Sequence, residues 1–382
     1  MKATNIIAIL YILIISNSCV DKFWPKVDKY ENVLVVDGLL SDGSDPSVVK
    51  LSYSSSINNA DLIPVTGGTV YLATELQGDI FYSETEPGVY TILDSSFRGI
   101  VGNSYYLNIE LPNGSNYRSE VSKLLESSPI DSLYGIEESQ ETTIGNQLDY
   151  GIQFYLDNHN DQYDTCYYFW KLSSCFKYQA SFRIHYTFEG EFIPYPNPDS
   201  LQTCYFTSRI NDIFILSTQY FDKPIVEQFP LNFVSTNNRS LSIRYSLSVN
   251  QLSISKNTYD FFSAIEQQNI DQGNLYSKQP IQIKGNVVNI SNADEPVLGY
   301  FIVAGSTKKR IYVDRPKIPF YYEECTPDYD LRFIRFEPPS SWPIYIVDIM
   351  FTGWAMGTTN SCFDCRLDGG SLTPPDFWVE QQ

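Results

Sequence analysis

The chain has 382 residues, of which 45 are acidic and 26 basic, for a formal net charge of −19. A polyanion of this kind repels phosphate backbones, which sets nucleic-acid binding aside. Charged residues make up only 19 % while aromatics reach 15 %, the balance of an ordered, aromatic-rich globular chain rather than an acidic disordered one.

Lys2 precedes an unbroken apolar run at 6–15, IIAILYILII. The run is too short for a spanning helix, which needs about 20 residues to cross ~30 Å of hydrocarbon, but it has the length and flanks of a signal-peptide core. Ser16-Asn17-Ser18 and then Cys19 follow. A cysteine directly after a short apolar core and small residues is a lipobox arrangement, with cleavage before Cys19 and acylation (palmitate-like chains) at that residue. Ser16 and Ser18 stand where Leu and Gly or Ala are preferred, so an ordinary secretory signal with a chance cysteine is the competing reading. The expected order is a signal peptide over 1–18, lipid attachment at Cys19 and a tether over 19–32. Each buried methylene contributes about 0.8 kcal/mol, so several acyl chains together hold permanently where one holds marginally.

Strand signals follow. VLVV at 33–36 ends at Asp37-Gly38, a turn pair. In SVVKLSY, Val49, Leu51 and Tyr53 share a face; Gly67-Gly68 precedes TVYLAT and Pro87-Gly88 precedes VYTIL. In SYYLNIEL, Tyr105, Leu107, Ile109 and Leu111 alternate with polar neighbours, the period of a half-buried strand, and Asn113-Gly114 is a hairpin signal. Short strands with turn pairs between them predict a β-sandwich over 33–126. SSPI at 127–130 marks a boundary. Beyond it GIQFYLDN, CYYFWKLS and SLSIRYSLSV read as strands, the last with Leu241, Ile243, Tyr245, Leu247 and Val249 on one face, and Pro194, Pro196 and Pro198 mark a loop. One helix is predicted, capped by Asn257, with Asp260 in its first turn, Phe261, Phe262 and Ile265 facing the core, and Gly273 as its stop. IQIKGNVV, VLGYFIVAG and KRIYVD then read as three strands, ahead of a Pro-, Gly- and Trp-rich tail.

Besides Cys19 the cysteines are Cys166, Cys175, Cys204, Cys325, Cys362 and Cys365. Outside a reducing compartment they form up to three disulfides, and the sequence does not choose the pairing. Cys362 and Cys365 make a C-x-x-C, but without the strand–helix setting of a redox motif or the second pair of a zinc ribbon, so structural disulfides are expected. His159 lies among Asp157, Asp161 and Asp164, hard oxygen ligands for Ca²⁺, yet without EF-hand spacing or its closing Glu, so a solvated loop after a strand is the preferred reading. Adjacent acids such as Glu323-Glu324 and Asp294-Glu295 are expected in so acidic a chain. With no nucleophile, metal or phosphate-loop motif, the expectation is a non-catalytic protein without metal or cofactor.

The ordered set Cys19-Val20-Asp21, YENVLVVDGLLSDG, PVTGGTVYL, EPGVY, FRGIVGNSYYLNI, PIDSLYG, IKGNVVNISNADEPVLGYF and CFDCRLDGGSLTPPDFW resembles a family of Bacteroidota outer-membrane lipoproteins known as a domain of unknown function (four-two-four-nine). The resemblance implies an N-terminal immunoglobulin-like sandwich and, since members are often encoded beside TonB-dependent receptors, a substrate-capturing or lid-like partner of an outer-membrane barrel. It supplies no catalytic residues. Asp21 and Lys22 beside the acylated cysteine point to the cell surface, and Asp131-Ser132-Leu133 and Asp199-Ser200-Leu201 fit the O-glycosylation pattern of that phylum at Ser132 and Ser200. The combined expectation is a mainly β chain: an immunoglobulin-like β-sandwich at 33–126, then a second β-rich domain at 131–378 with one short helix and a disulfide-tied tail. Its expected role is a binding or accessory subunit of a TonB-dependent transporter in nutrient capture. The alternatives are a surface adhesin or glycan-binding protein, or a stabilising subunit of a larger outer-membrane machine.

Overall fold

The computed structural model describes residues 33–54, 62–74, 78–141, 148–272 and 283–380. The signal segment, Cys19, the tether and Gly273 lie outside the described residues. Among the described residues the fold is mainly β, with one helix longer than two turns, Lys256–Gln272.

The first body is a two-sheet sandwich. One sheet holds Leu34–Ser41, Val48–Tyr53, Val89–Thr91 and Ser83–Glu86; the other holds Asn116–Ser119, Ser104–Glu110, Thr69–Thr74 and Ile80–Phe81. The alternation in SYYLNIEL works as read: Tyr105, Leu107 and Ile109 are fully buried between the sheets with Val36, Leu51, Leu72 and Tyr90. Each such side chain contributes ~1.5–3 kcal/mol by leaving water. Asp37-Gly38, expected as a turn, instead lies inside the strand Leu34–Ser41. Glycine is needed there for a different reason, because a Cβ on Gly38 would stand 2.7 Å from the ring of Phe301.

Phe301 comes from the far end of the chain. Residues Leu34–Ser41 pair in parallel with Val297–Ala304, and Val287–Asn289 add to the opposite sheet beside Asn116–Ser119. Val287, Val297, Phe301 and Val303 belong to the sandwich core. The sandwich is therefore closed by late-chain strands, and the contiguous division into 33–126 and 131–378 is crossed. VLGYFIVAG and KRIYVD, expected as separate strands, form a single strand, Val297–Asp314. Its second half changes neighbour and pairs antiparallel with Arg244–Ser253, from Gly305↔Ser253 to Asp314↔Arg244. One ladder thus runs through both bodies, in the order Thr203–Ser217, Tyr167–Gln179, Arg244–Ser253, Val297–Asp314, Leu34–Ser41, Val48–Tyr53. At the change of neighbour the linker crosses the sheet so closely that a Cβ on Gly305 would meet Leu125 O at 2.4 Å and Ser127 N at 2.5 Å.

The second body packs the sheet Ser132–Glu141, Leu148–His159, Ile225–Ser235 against that ladder, over a core including Phe154, Trp170, Leu247 and Val249. SLSIRYSLSV enters its strand later than expected: Asn238 caps a 3₁₀ turn at Arg239–Leu241, and the strand begins at Arg244. The boundary at 127–130 is bound down rather than loose. Ser128 is buried; its Oγ accepts from Asn160 Nδ2 at 2.6 Å and from Tyr168 Oη at 3.1 Å, and its carbonyl accepts from Gln251 Nε2 at 3.0 Å. The helix is capped by Ser255, not Asn257: Ser255 Oγ accepts from Thr258 N at 3.2 Å, satisfying an amide that the first turn cannot. Phe261, Phe262 and Ile265 pack inward as expected, against Tyr300 and Ile302.

A third unit, the sheet Phe192–Pro194, Tyr186–Phe188, Ile344–Ile349, Gly353–Gly357, Pro327–Asp328, is held by disulfides. Cys325 pairs with Cys362 and Cys204 with Cys365, so the C-x-x-C divides between two bonds. Between them Asp364 is buried, and its carboxylate accepts from Arg366 N at 3.0 Å and Arg366 Nη2 at 2.8 Å. Cys166 and Cys175, counted above as disulfide candidates, are free and buried. They lie along one extended stretch, and nine residues at ~3.3 Å each place them about 30 Å apart, far beyond disulfide reach.

Candidate binding site

The continuous ladder carries a basic cleft of about 420 Å³ where the two bodies meet. Opposed residues on neighbouring strands point to one side of a sheet. One row across the cleft is Lys171–Asn250–Lys308; the next is Arg209–Ser173–Ser248–Arg310. The middle of each row is small and polar, and the ends are cationic. Lys50 joins from the sandwich edge, giving a lining of five cations against two carboxylates, Asp37 and Asp45.

Asp45 is engaged by Lys308 in an ion pair. Among the described residues no other cation of the cleft has a carboxylate at ion-pair distance. Arg310 Nη1 donates to Ser246 Oγ at 2.9 Å, and its guanidinium lies 3.7 Å from the ring centre of Phe377, so the C-terminal tail walls one side. That tail is pinned by Trp378 packed edge-on against Tyr205 and Tyr312, and by Glu380 on Lys177 at 2.9 Å. Asn250 Oδ1 accepts from Ser306 Oγ at 2.7 Å, committing its carbonyl to the protein. Burial holds the Lys171 ammonium below the usual lysine range; Asp37 pulls it back up, while Arg209 and Lys50 push it further down.

The His159 region forms a separate polar cleft. His159 Nδ1 lies 2.7 Å from Asp131 Oδ2, and that hydrogen bond and charge raise the imidazole above its ordinary value, with a smaller contribution from Asp161. Asp157 turns away from a shared metal position: its Oδ1 accepts from Gln228 N at 2.7 Å and from Tyr134 Oη at 3.3 Å. Asp161 and Asp164 are exposed. Among the described residues no group of His, Cys, Asp and Glu is arranged to hold a metal ion. The other histidine, His185, accepts from Asp348 N at 3.0 Å in the disulfide-held unit. Ser132 is half-buried at the start of its strand in the His159 cleft, whereas Ser200 is exposed on a turn closed by Ser200 N to Asn197 O at 3.0 Å.

The disulfide-held unit exposes large apolar side chains. Phe351 is 100 % exposed, Phe336 81 % and Met350 77 %. Phe351 also holds φ at +71°, a region costing a non-glycine residue ~1–3 kcal/mol. Tyr329 Oη and Thr352 Oγ1 are 3.3 Å apart, which sets the 3₁₀ turn Leu331–Phe336 beside the hairpin tip at 350–353. Ile334 and Leu331 turn inward, so Phe333 and Phe336 are left outside. In the same unit the exposed Trp354 has its ring 4.5 Å from that of Tyr186 and 5.4 Å from that of Phe192, both half-buried.

Sequence reading missed the cleft because its cations are scattered from Lys50 to Arg310 and meet only through strand pairing. The signal within reach was the serine-rich face of SLSIRYSLSV, opposite Leu247 and Val249, which forms part of the cleft floor at Ser248.

The sequence profile of a family described as "Domain of unknown function (DUF4249)" matches residues 20–310. The chain belongs to the DUF4249 family. The match begins one residue after Cys19 and ends within the strand Val297–Asp314, so it takes in the basic cleft and two strands of the disulfide-held sheet, Tyr186–Phe188 and Phe192–Pro194, while the other three strands of that sheet lie beyond it. A search of curated proteins found no match.

Proposed function

We propose that this DUF4249 protein is an outer-membrane lipoprotein, anchored through Cys19 and displayed at the cell surface, that serves as a non-catalytic accessory subunit of a TonB-dependent β-barrel in nutrient capture. The observation that carries the proposal is the aromatic tip of the disulfide-held unit. Soluble monomers rarely expose contiguous apolar patches, and interfaces favour aromatics and Met at their centre. Met350, Phe351, Phe333 and Phe336 have that chemistry, the first two on a hairpin tip and the others on the neighbouring 3₁₀ turn, with Phe351 held at positive φ. The two-body ladder would act as a stiff spacer between lipid and tip. Among the described residues no helix is long and apolar enough to cross a membrane.

A second reading, glycan binding or adhesion without a barrel, is favoured by the Trp354–Tyr186–Phe192 surface, whose rings suit stacking on sugars. Affinity purification of the acylated protein from gently solubilised membranes separates the two. Recovery of a TonB-dependent barrel, lost in Phe336→Asp/Phe351→Asp, supports the first. Recovery of the wild type alone, with strong glycan binding by the same preparation, overturns it.

A further inference from the structure

We infer that the basic cleft at the seam of the two bodies binds a small soluble molecule carrying two or more anionic groups, such as carboxylates or phosphates. This stands apart from the barrel partnership, since it uses the opposite chemistry and different residues.

Charge composition is the first ground. Acidic residues outnumber basic ones 45 to 26, so a basic side chain placed without selection has acids for neighbours. In the cleft the reverse holds: Lys50, Lys171, Arg209, Lys308 and Arg310 meet two carboxylates, one of them already paired. Lys171 sits half-buried, with Arg209 and Lys50 opposing its charge and Asp37 offsetting them only in part against the cost of burial. Such an arrangement destabilises the empty protein and is relieved by a bound anion.

Geometry is the second ground. Adjacent strands lie about 4.8 Å apart, so Lys171 and Lys308 spring from backbones separated by ~10 Å and Arg209 and Arg310 by ~14 Å. That span is wider than one carboxylate or phosphate, and it asks for two anionic groups joined by a short linker. The floor between the rows, Ser173, Ser248 and Asn250, offers neutral hydrogen-bonding groups at a level the long cationic side chains overreach. Phe377 restrains Arg310, which lowers the entropy its guanidinium loses on binding. The volume, about 420 Å³, suits a small molecule rather than a polymer.

The test is calorimetric titration of the acylated full chain with citrate, inorganic pyrophosphate and acetate at low salt. Citrate or pyrophosphate should bind at least tenfold more tightly than acetate, weaken as ionic strength rises, and take up protons at alkaline pH as the anion restores the charge on Lys171. Whichever of the two binds tighter names the preferred group. Lys50→Gln and Arg209→Gln, both exposed and so without cost to folding, should each weaken binding by about tenfold, while Lys123→Gln on the sandwich should leave it unchanged. Acetate binding as tightly as the multivalent anions, or Lys50→Gln/Arg209→Gln binding like wild type, overturns the assignment. Barrel recovery is read separately, so either idea can fail alone.

Discussion

Gln251→Leu is expected to cost about 3–5 kcal/mol of stability, since each buried group left without its partner costs ~1–3 kcal/mol. Gln251 is fully buried beside the cleft, and its amide is used at both ends. Oε1 accepts from Asn158 Nδ2 at 2.8 Å and Trp170 Nε1 at 2.8 Å, while Nε2 donates to Ser128 O at 3.0 Å. Leucine fills similar space but strands the indole N–H, the Asn158 amide and the Ser128 carbonyl together. The gain from burying a more apolar side chain, about 1 kcal/mol, offsets only part of this. Urea unfolding followed by far-ultraviolet circular dichroism and tryptophan fluorescence measures the change, with an unchanged slope showing that compactness is kept. A double-mutant cycle with Trp170→Phe should recover ~1 kcal/mol or more of coupling, because the second change removes one stranded donor. A loss under about 1 kcal/mol for Gln251→Leu would mean that water or a neighbour satisfies these groups, and the view of the linker as fastened through this amide would fail.

Two further predictions concern the staples and the histidine. Cys204–Cys365 closes a separation of 161 residues and Cys325–Cys362 one of 37. Loop entropy then gives about 5 and about 4 kcal/mol, so the Cys204→Ala/Cys365→Ala pair should lose ~1 kcal/mol more than the Cys325→Ala/Cys362→Ala pair, and a reversed order in urea unfolding refutes the loop-length account. For His159, a pKa raised in the fold means that its ion pair with Asp131 contributes when pH is below 6.5 and fades as pH climbs through the folded value. Nuclear magnetic resonance titration should place the wild-type midpoint above that of Asp131→Asn, with the stability gap between them closing toward alkaline pH; coincident midpoints refute the pairing.

Much of the molecule was legible in short windows of sequence. Period-two alternation placed Tyr105, Leu107 and Ile109 in the core because a strand sends successive side chains to opposite faces whatever its neighbours are. The helix and its buried face at Phe261, Phe262 and Ile265 followed from local pattern in the same way, whereas its cap moved from Asn257 to Ser255 because helix ends depend on which side chain reaches the first free amide. Asp37-Gly38 misled because glycine's small size served packing against Phe301 instead of a turn.

What local chemistry could settle was periodicity, burial and the disulfide potential of the tail. What it could not settle was which distant strands pair, since backbone hydrogen bonds are alike along every strand and register is set by the whole packed face. For that reason only the tertiary structure decided that Val297–Asp314 serves both bodies, that Cys166 and Cys175 stay unpaired, and that Lys50, Lys171, Arg209, Lys308 and Arg310 share one cleft.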